Sequence, residues 1–315
     1  MARGFGQRFW REGLDGEGVA TGTPQFDALE RGRAFAPLRG WRITFVGGTD
    51  AGGWLHDLIT ADVEGLPDRR SRRSLLLTPT GRIRADFHVA ALDGSYVLLQ
   101  ASEQPETVES ILRPYVLSSD VQIDDRTDRL VLVAVIGAMG AKMGEGSVQS
   151  DPDLVTLTPS VLGPGHDVVA PGDSLETLLE HLRASGSVEV SPTDLEAWRI
   201  RRGTPRMGAD FGADTLPAEA GLEDAIDFTK GCFLGQESVA RVRNLGHPPR
   251  VLLHVGSHAP VAPGASVVSG GAVVGEVTSA VPALDDVDAI VRVRWDADRE
   301  GLSTAAGPLV LRNAR

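Results

Sequence analysis

Thr229-Lys230-Gly231-Cys232-Phe233-Leu234-Gly235-Gln236-Glu237-Ser238-Val239-Ala240-Arg241 carries the only cysteine of the 315-residue chain. Gly231 and Gly235 bracket that thiol, so the backbone there can turn tightly or approach a ligand closely. Lys230 stands two residues from Cys232, and a nearby ammonium favours the thiolate, the reactive form. Gln236 and Glu237 add an amide and a carboxylate, which together can hydrogen-bond a heterocycle with both donor and acceptor edges. A lone cysteine is also commonly a buried small hydrophobe. The residue types therefore leave a reactive role and a packing role open for Cys232.

Around this segment the chain has the composition of a soluble globular protein, 42% hydrophobic and 23% charged. Its formal net charge of −12 makes it a poor general nucleic-acid binder, because phosphates repel it, while local basic patches could still hold a small anion or a piece of RNA. One cysteine allows no internal disulfide, which fits a reducing compartment. The residues Met1–Trp10 lack the apolar run of a signal peptide, and no stretch reaches the roughly 18 apolar residues of a membrane span. The expectation is a cytoplasmic protein that does not enter membranes. The histidines show no metal-ligand spacing.

Working towards the N-terminus, Leu195–Arg202 reads as a short helix stopped by Gly203. Before it, Leu175, Leu178, Leu179 and Leu182 form the stripe of another helix, with Asp173 as expected cap, Glu176 completing a capping box, and Gly186 as stop. Arg129–Ile136 is a strand too apolar to be exposed on both faces, with Val161–Leu162 and Val168–Val169 as candidate partners. The following Gly137-Ala138-Met139-Gly140 is a weak dinucleotide-turn signal that lacks the G-x-G-x-x-G spacing. Earlier still come strands at Trp41–Val46, Leu75–Leu77, Ile83–Leu92, Tyr96–Gln100 and Val121–Ile123. Helices are expected around Ala51, Trp54, Leu55, Leu58 and Ile59, capped by Thr49 or Asp50, and around Val108, Ile111, Leu112 and Tyr115. The basic run Arg69-Arg70-Ser71-Arg72-Arg73 reads as a solvated loop, or as a receiver of an anionic tail. The first 25 residues, rich in glycine and charge, read as a loose arm. Towards the C-terminus, short strands recur between Gly and Pro turns: Val251–Val255, Ser266–Val268, Ala272–Thr278, Ala289–Trp295 and Leu309–Leu311. That pattern predicts a small barrel or sandwich beyond His247-Pro248-Pro249.

The segment Lys230–Glu237 resembles the K-G-C-[FY]-x-G-Q-E signature of the YgfZ family, folate-binding relatives of the glycine-cleavage aminomethyltransferase GcvT. Lys230, Gly231, Cys232, Phe233, Gly235, Gln236 and Glu237 all match. Shorter similarities follow in the same order along the chain: Gly48-Thr49-Asp50-Ala51, Leu55 and Thr60-Ala61-Asp62-Val63; the glycine-led strand Gly81-Arg82-Ile83-Arg84-Ala85-Asp86; Arg199-Ile200 with Gly203 and Pro205; Leu216–Leu222; and Gly275-Glu276-Val277-Thr278-Ser279.

The resemblance implies an α+β fold, a three-domain GcvT-like ring of two interleaved sheet-and-helix units plus a C-terminal small β-barrel, with the folate in the central hole. In this chain that places a discontinuous folate-binding region at 26–248. Residues of approximately 40–124 and 213–248 form one unit, 26–39 and 125–212 the other, and 249–315 the barrel. It implies tetrahydrofolate or a one-carbon derivative as cofactor. It also implies an accessory role in assembly or repair of iron–sulfur enzymes, tRNA-modifying ones among them, with iron–sulfur client proteins as partners. Folate-dependent aminomethyl transfer or one-carbon oxidation is the alternative. By motif, Asp86 and Cys232 are the candidate catalytic residues, although a strand-end Asp86 exposed to water is equally common chemistry. Lys230, Gly231, Gly235, Gln236, Glu237, Arg241 and Glu219 are the candidate folate contacts, with Arg243 and Arg250 also placed for the folate's carboxylates. One departure stands out. Where many relatives carry a pterin-binding glutamate after the R-[IL] pair, this chain has Arg201, which cannot accept from the pterin's N–H donors. Another carboxylate must then serve, and Glu219 and Glu237 are the candidates.

Overall fold

The computed structural model describes residues 23–137, 154–283 and 286–312. The expected N-terminal arm and the Gly137–Gly140 turn fall almost wholly outside them. In chain order, α1 (Pro24–Glu30) leads into β1 (Ala34–Leu38), β2 (Arg42–Gly47), α2 (Ala51–Leu58), β3 (Ser71–Leu77), β4 (Ile83–Leu92), β5 (Ser95–Gln100), α3 (Val108–Leu112) and β6 (Gln122–Asp125). Next come β7 (Leu130–Ile136), β8 (Val155–Leu157), β9 (Gly165–Pro171), α4 (Leu175–Ala184), β10 (Val188–Glu189) and α5 (Pro192–Arg201). The short α6 (Pro217–Ala220) and α7 (Gln236–Leu245) precede β11 (Arg250–Ser257), β12 (Ser266–Ser269), β13 (Ala272–Pro282), β14 (Val287–Arg294), β15 (Ser303–Thr304), β16 (Gly307–Pro308) and β17 (Val310–Leu311).

These strands make three sheets, ordered β3-β4-β5-β2-β6, β10-β1-β7-β9-β8 and β16-β15-β12-β13-β14-β11-β17. The first and second are interleaved: the chain lays down β1, leaves to build the whole of the first sheet, and returns at β7 to pair antiparallel with β1. The third sheet is antiparallel and curls into a nearly closed barrel-like form. The α+β architecture is the expected one. Among the described residues no helix is long and apolar enough to cross a membrane.

The first sheet positions the signature segment because both its faces are covered. Ala85, Phe87 and Val89 of β4 pack with Leu55, Ile59 and Ile111 on the helical side. Leu75, Leu77 and Ile83 face the other way, onto Phe211, Ala220, Phe233 and Val239. Strict alternation would put Ile83 beside Ala85; the register shift between Leu76 and Leu77 turns it to the opposite face.

Several local expectations are corrected. The run Arg69–Arg73 is not a loop, since Ser71–Arg73 opens β3 and Arg73 is drawn inward by Asp86 across the hairpin. Asp50 does not cap α2 with its side chain, which instead accepts from Asp120 N at 2.7 Å. The capping box expected of Asp173 and Glu176 is absent, as α4 begins after Ser174 without a side-chain cap. Val161–Leu162 is not a strand; β7 pairs with β9, which holds Val168–Val169, and with β1. Helix α5 starts three residues early because Ser191 and Asp194 form a capping box ahead of Pro192.

Candidate functional site

The signature segment is pinned at successive points. Phe233 enters the core beneath the first sheet, the Leu234 N–H donates to Asp57 O at 3.2 Å, and Gly235 sits against the Thr78–Gly81 turn. Gly235 has φ +84°, and a Cβ there would lie 2.5 Å from Thr78 O, so no other residue fits. Gly231 makes no such demand; a Cβ on it would stand 3.7 Å from His56 Nε2, an ordinary contact. Between these anchors Cys232 faces solvent, which removes the packing role for the thiol. Lys230 turns away from it and donates to backbone carbonyls near the end of α2. Burial pushes the Lys230 pKa down to about 8 against the pull of Asp62, Asp227 and Asp57, so the ammonium is still the major form at pH 7. Gln236 opens α7. Glu237 is 89% exposed and meets Arg241 at 3.0 Å, a solvent-side pair one helical turn apart.

Asp86 is neither a solvated strand end nor a free carboxylate. Its two oxygens accept from Arg73 Nε at 2.8 Å and Nη2 at 2.6 Å. The Gln104 amide clamps the same residue's backbone, accepting from Asp86 N at 2.9 Å and donating to Asp86 O at 2.5 Å. His88, opposite Arg73 in the ladder, has a buried Nδ1 without a partner among the described residues. Burial, with the Arg73 charge beside it, pushes its pKa down to about 4, so this imidazole is neutral at physiological pH.

The two candidate replacements for the missing pterin glutamate are now separated. Glu237 lies on the outer surface of α7. Glu219, on α6, is 8% exposed, and its Oε1 accepts from Leu216 N at 3.3 Å. It lines a cleft of about 450 Å³ formed by α6, α7, the linker Gly246–Pro248 and the barrel residues Val251–Leu253, Trp295 and Arg299. That size is within the range of roughly 300–1,000 Å³ for small-molecule sites. Phe228 and Trp295 supply aromatic surface. Arg243 stands over the Phe228 ring at 4.0 Å and Arg299 over Trp295 at 5.2 Å, while His247 stacks on Trp295 at 5.3 Å. Neither Arg243 nor Arg299 has a carboxylate partner among the described residues. Asp86, Lys230, Gly231, Cys232, Gly235, Gln236, Glu237, Arg241 and Arg250 do not line the cleft. The turn Glu223–Ala225 links it to the Arg73–Asp86 pair: Glu223 lines the cleft and the Asp224 charge reaches Arg73.

Sequence reasoning missed Phe228, Trp295, Arg299 and His247, because three separate segments contribute them and none forms a motif. It also missed Asp210, which ties together two matches noted separately. Asp210, with a side chain 0% exposed, accepts from Arg199 Nη1 at 2.6 Å, Thr278 Oγ1 at 2.7 Å, Ser279 Oγ at 2.7 Å and Arg206 N at 3.0 Å. Gly203, at φ +64°, lies so close to His254 of β11 that a Cβ would be 2.8 Å away. The Arg199, Gly203 and Thr278-Ser279 matches are thus one junction between α5 and the barrel. Arg201 points elsewhere, over the Phe26 ring of α1 at 5.1 Å.

No protein-family model matches the chain. A chloroplastic protein of Arabidopsis thaliana named as a transferase is 25% identical over 272 residues, 80% of this chain and 63% of its own length. The chain therefore spans less than two thirds of that relative. The tRNA-modifying protein YgfZ of Photobacterium profundum is 25% identical over 227 residues, 70% of this chain and 68% of that one. Among solved structures, aminomethyltransferase T of the glycine cleavage system from Bartonella henselae superposes with a TM-score of 0.78 at 20% identity, over 91% of this chain and 86% of that one, a likeness of fold. In sequence the chain is thus similar, at about 25% identity, to proteins named YgfZ and aminomethyltransferase, and it shares the fold of aminomethyltransferase T.

Proposed function

We propose that the protein binds tetrahydrofolate or a one-carbon derivative in the cleft beside α6, and serves as a YgfZ-type accessory to the assembly or repair of iron–sulfur enzymes, including tRNA-modifying ones. The observation that carries the folate reading is the polarity of the cleft. A carboxylate, two aromatic rings and two guanidiniums without a carboxylate partner among the described residues line it together. A pterin offers N–H donors on a flat ring, and its glutamate tail offers carboxylates. Glu219 would accept from the ring, Phe228 and Trp295 would flank it, and Arg243 and Arg299 would receive the tail. The bound folate supplies a carrier for one-carbon units.

Two observations favour the accessory role over aminomethyl transfer. The Arg73 guanidinium already engages both Asp86 oxygens, which makes Asp86 a poor partner for a developing cation. Cys232 is exposed on the outside of the molecule rather than in the cleft. A single thiolate cannot hold a cluster with the usual four ligands, but an exposed one can share it with a client. In cells lacking the protein, and at matched soluble levels of each variant, Cys232→Ala should fail to restore iron–sulfur enzyme activity while Asp86→Asn restores at least half of it. Restoration by Cys232→Ala, or turnover of an aminomethyl donor that Asp86→Asn abolishes, would instead establish the transferase.

A further inference from the structure

Lys230 opens the signature, yet it faces no cleft and its ammonium is fully engaged. An ammonium has three N–H donors. Here Nζ donates to His56 O, to Ile59 O at 2.7 Å and to Ala61 O at 2.9 Å. The carbonyls in the last turn of a helix have no intrahelical partner, and they form the negative end of its dipole. Helix α2 ends at Leu58, so His56 O belongs to that turn and Ile59 is the C-cap. A second such carbonyl, Asp57 O, is taken by the Leu234 N–H at 3.2 Å. The segment that carries Cys232 therefore grips the end of α2 at two points, one on each side of the thiol.

We infer that Lys230 is a positioning residue: its ammonium caps the C-terminal end of α2 from outside the helix, fixes the loop Gly231–Gly235 there, and gives no hydrogen bond to a ligand. The sequence pattern suggested a ligand contact or an activator of the thiolate. The geometry leaves neither use a free donor. The capping role concerns the thiol loop and not the folate cleft, so it stands apart from the folate reading except in one readout below.

Amide hydrogen exchange on the full-length protein tests this, since exchange rates report local opening. In Lys230→Met, the Leu234 amide should exchange at least about ten-fold faster than in the wild type, with the increase confined to residues near 56–62 and 230–235. Lys230→Arg, which keeps a charged donor set, should recover at least half of the lost protection on a logarithmic scale. Tetrahydrofolate affinity, measured by calorimetry, should change less than about three-fold in Lys230→Met. Unchanged Leu234 exchange in Lys230→Met overturns the inference. So does a ten-fold or greater loss of folate affinity with exchange unchanged, which makes Lys230 a ligand contact. If the wild type binds no folate, the folate reading fails and the exchange experiment still decides the role of Lys230. Should Lys230→Met not fold, Lys230→Arg with full protection supports the inference, and Lys230→Arg with a Leu234 amide as exposed as in the unfolded chain overturns it.

Discussion

Asp210→Ala lowers the stability of the protein by about 3–5 kcal/mol, the usual cost of removing one partner of a buried ion pair. The physical reason is concentration of function in one carboxylate. Asp210 neutralises Arg199, caps the Arg206 N–H, and accepts the hydroxyls of Thr278 and Ser279 on β13. Arg199 keeps Glu196, which it meets through Nε at 2.9 Å and Nη2 at 2.6 Å. That residual pairing sets the cost nearer the lower end. The Ser279 hydroxyl and the Arg206 N–H still lose their acceptor, while Thr278 keeps Ile290 O at 3.0 Å, and an unsatisfied buried polar group costs about 1–3 kcal/mol. Because these donors lie on both α5 and the barrel, the loss should be felt as earlier detachment of the barrel from the rest. Differential scanning calorimetry should show a melting temperature lower by roughly 5–8 °C. Asp210→Asn keeps the size and one acceptor oxygen and should fall between wild type and alanine. A melting temperature within 1 °C of wild type for Asp210→Ala would mean that the junction contributes nothing.

Glu219→Gln weakens tetrahydrofolate binding roughly 10- to 150-fold, equivalent to about 1.5–3 kcal/mol for hydrogen bonds to a charged acceptor. The substitution is isosteric, and the new amide oxygen can still accept from Leu216 N, so α6 keeps its start. What changes is the face toward the cleft: an acceptor-only carboxylate becomes a group that also presents N–H donors to the pterin's own N–H donors. Glu237→Gln, on the solvent side of α7 with Arg241 as its partner, should leave affinity within about two-fold. The comparison matters because the sequence offered both glutamates as substitutes for the acceptor that Arg201 cannot be. Equal affinity of Glu219→Gln and wild type would remove Glu219 from the site.

How much of this was legible beforehand depended on whether a feature was local. Strand β4 was readable end to end because its turn residues and apolar run lie within one stretch, Ile83–Leu92. The long strands of the barrel announced themselves through alternation, as in Ala289, Val291 and Val293 around Arg292. The two-residue strands β15 and β16 did not, since a pair of residues carries no period. Cap residues were misassigned where a candidate side chain was spent elsewhere, as Asp50 is on Asp120 N. The basic run before β3 misled because the partner that buries Arg73 lies across a hairpin, at Asp86. The candidate site divided in the same way. The segment Lys230–Glu237 could be singled out by composition, but the direction of each side chain could not. Lys230 turns to α2, Glu237 to solvent, and the cleft draws instead on Glu219, Phe228, Arg243, Trp295 and Arg299. Nothing within a short window links Asp210 to residues 278–279; only the folded chain brings that acid to the barrel.

The central claim is that the cleft beside α6 takes a reduced folate, and calorimetric titration of the purified protein with tetrahydrofolate and its one-carbon forms tests it most directly. Saturable binding of at least one of them at one site per chain, lost or weakened at least ten-fold in Glu219→Gln, is the predicted result. Absence of binding heat from every form at several temperatures would contradict it.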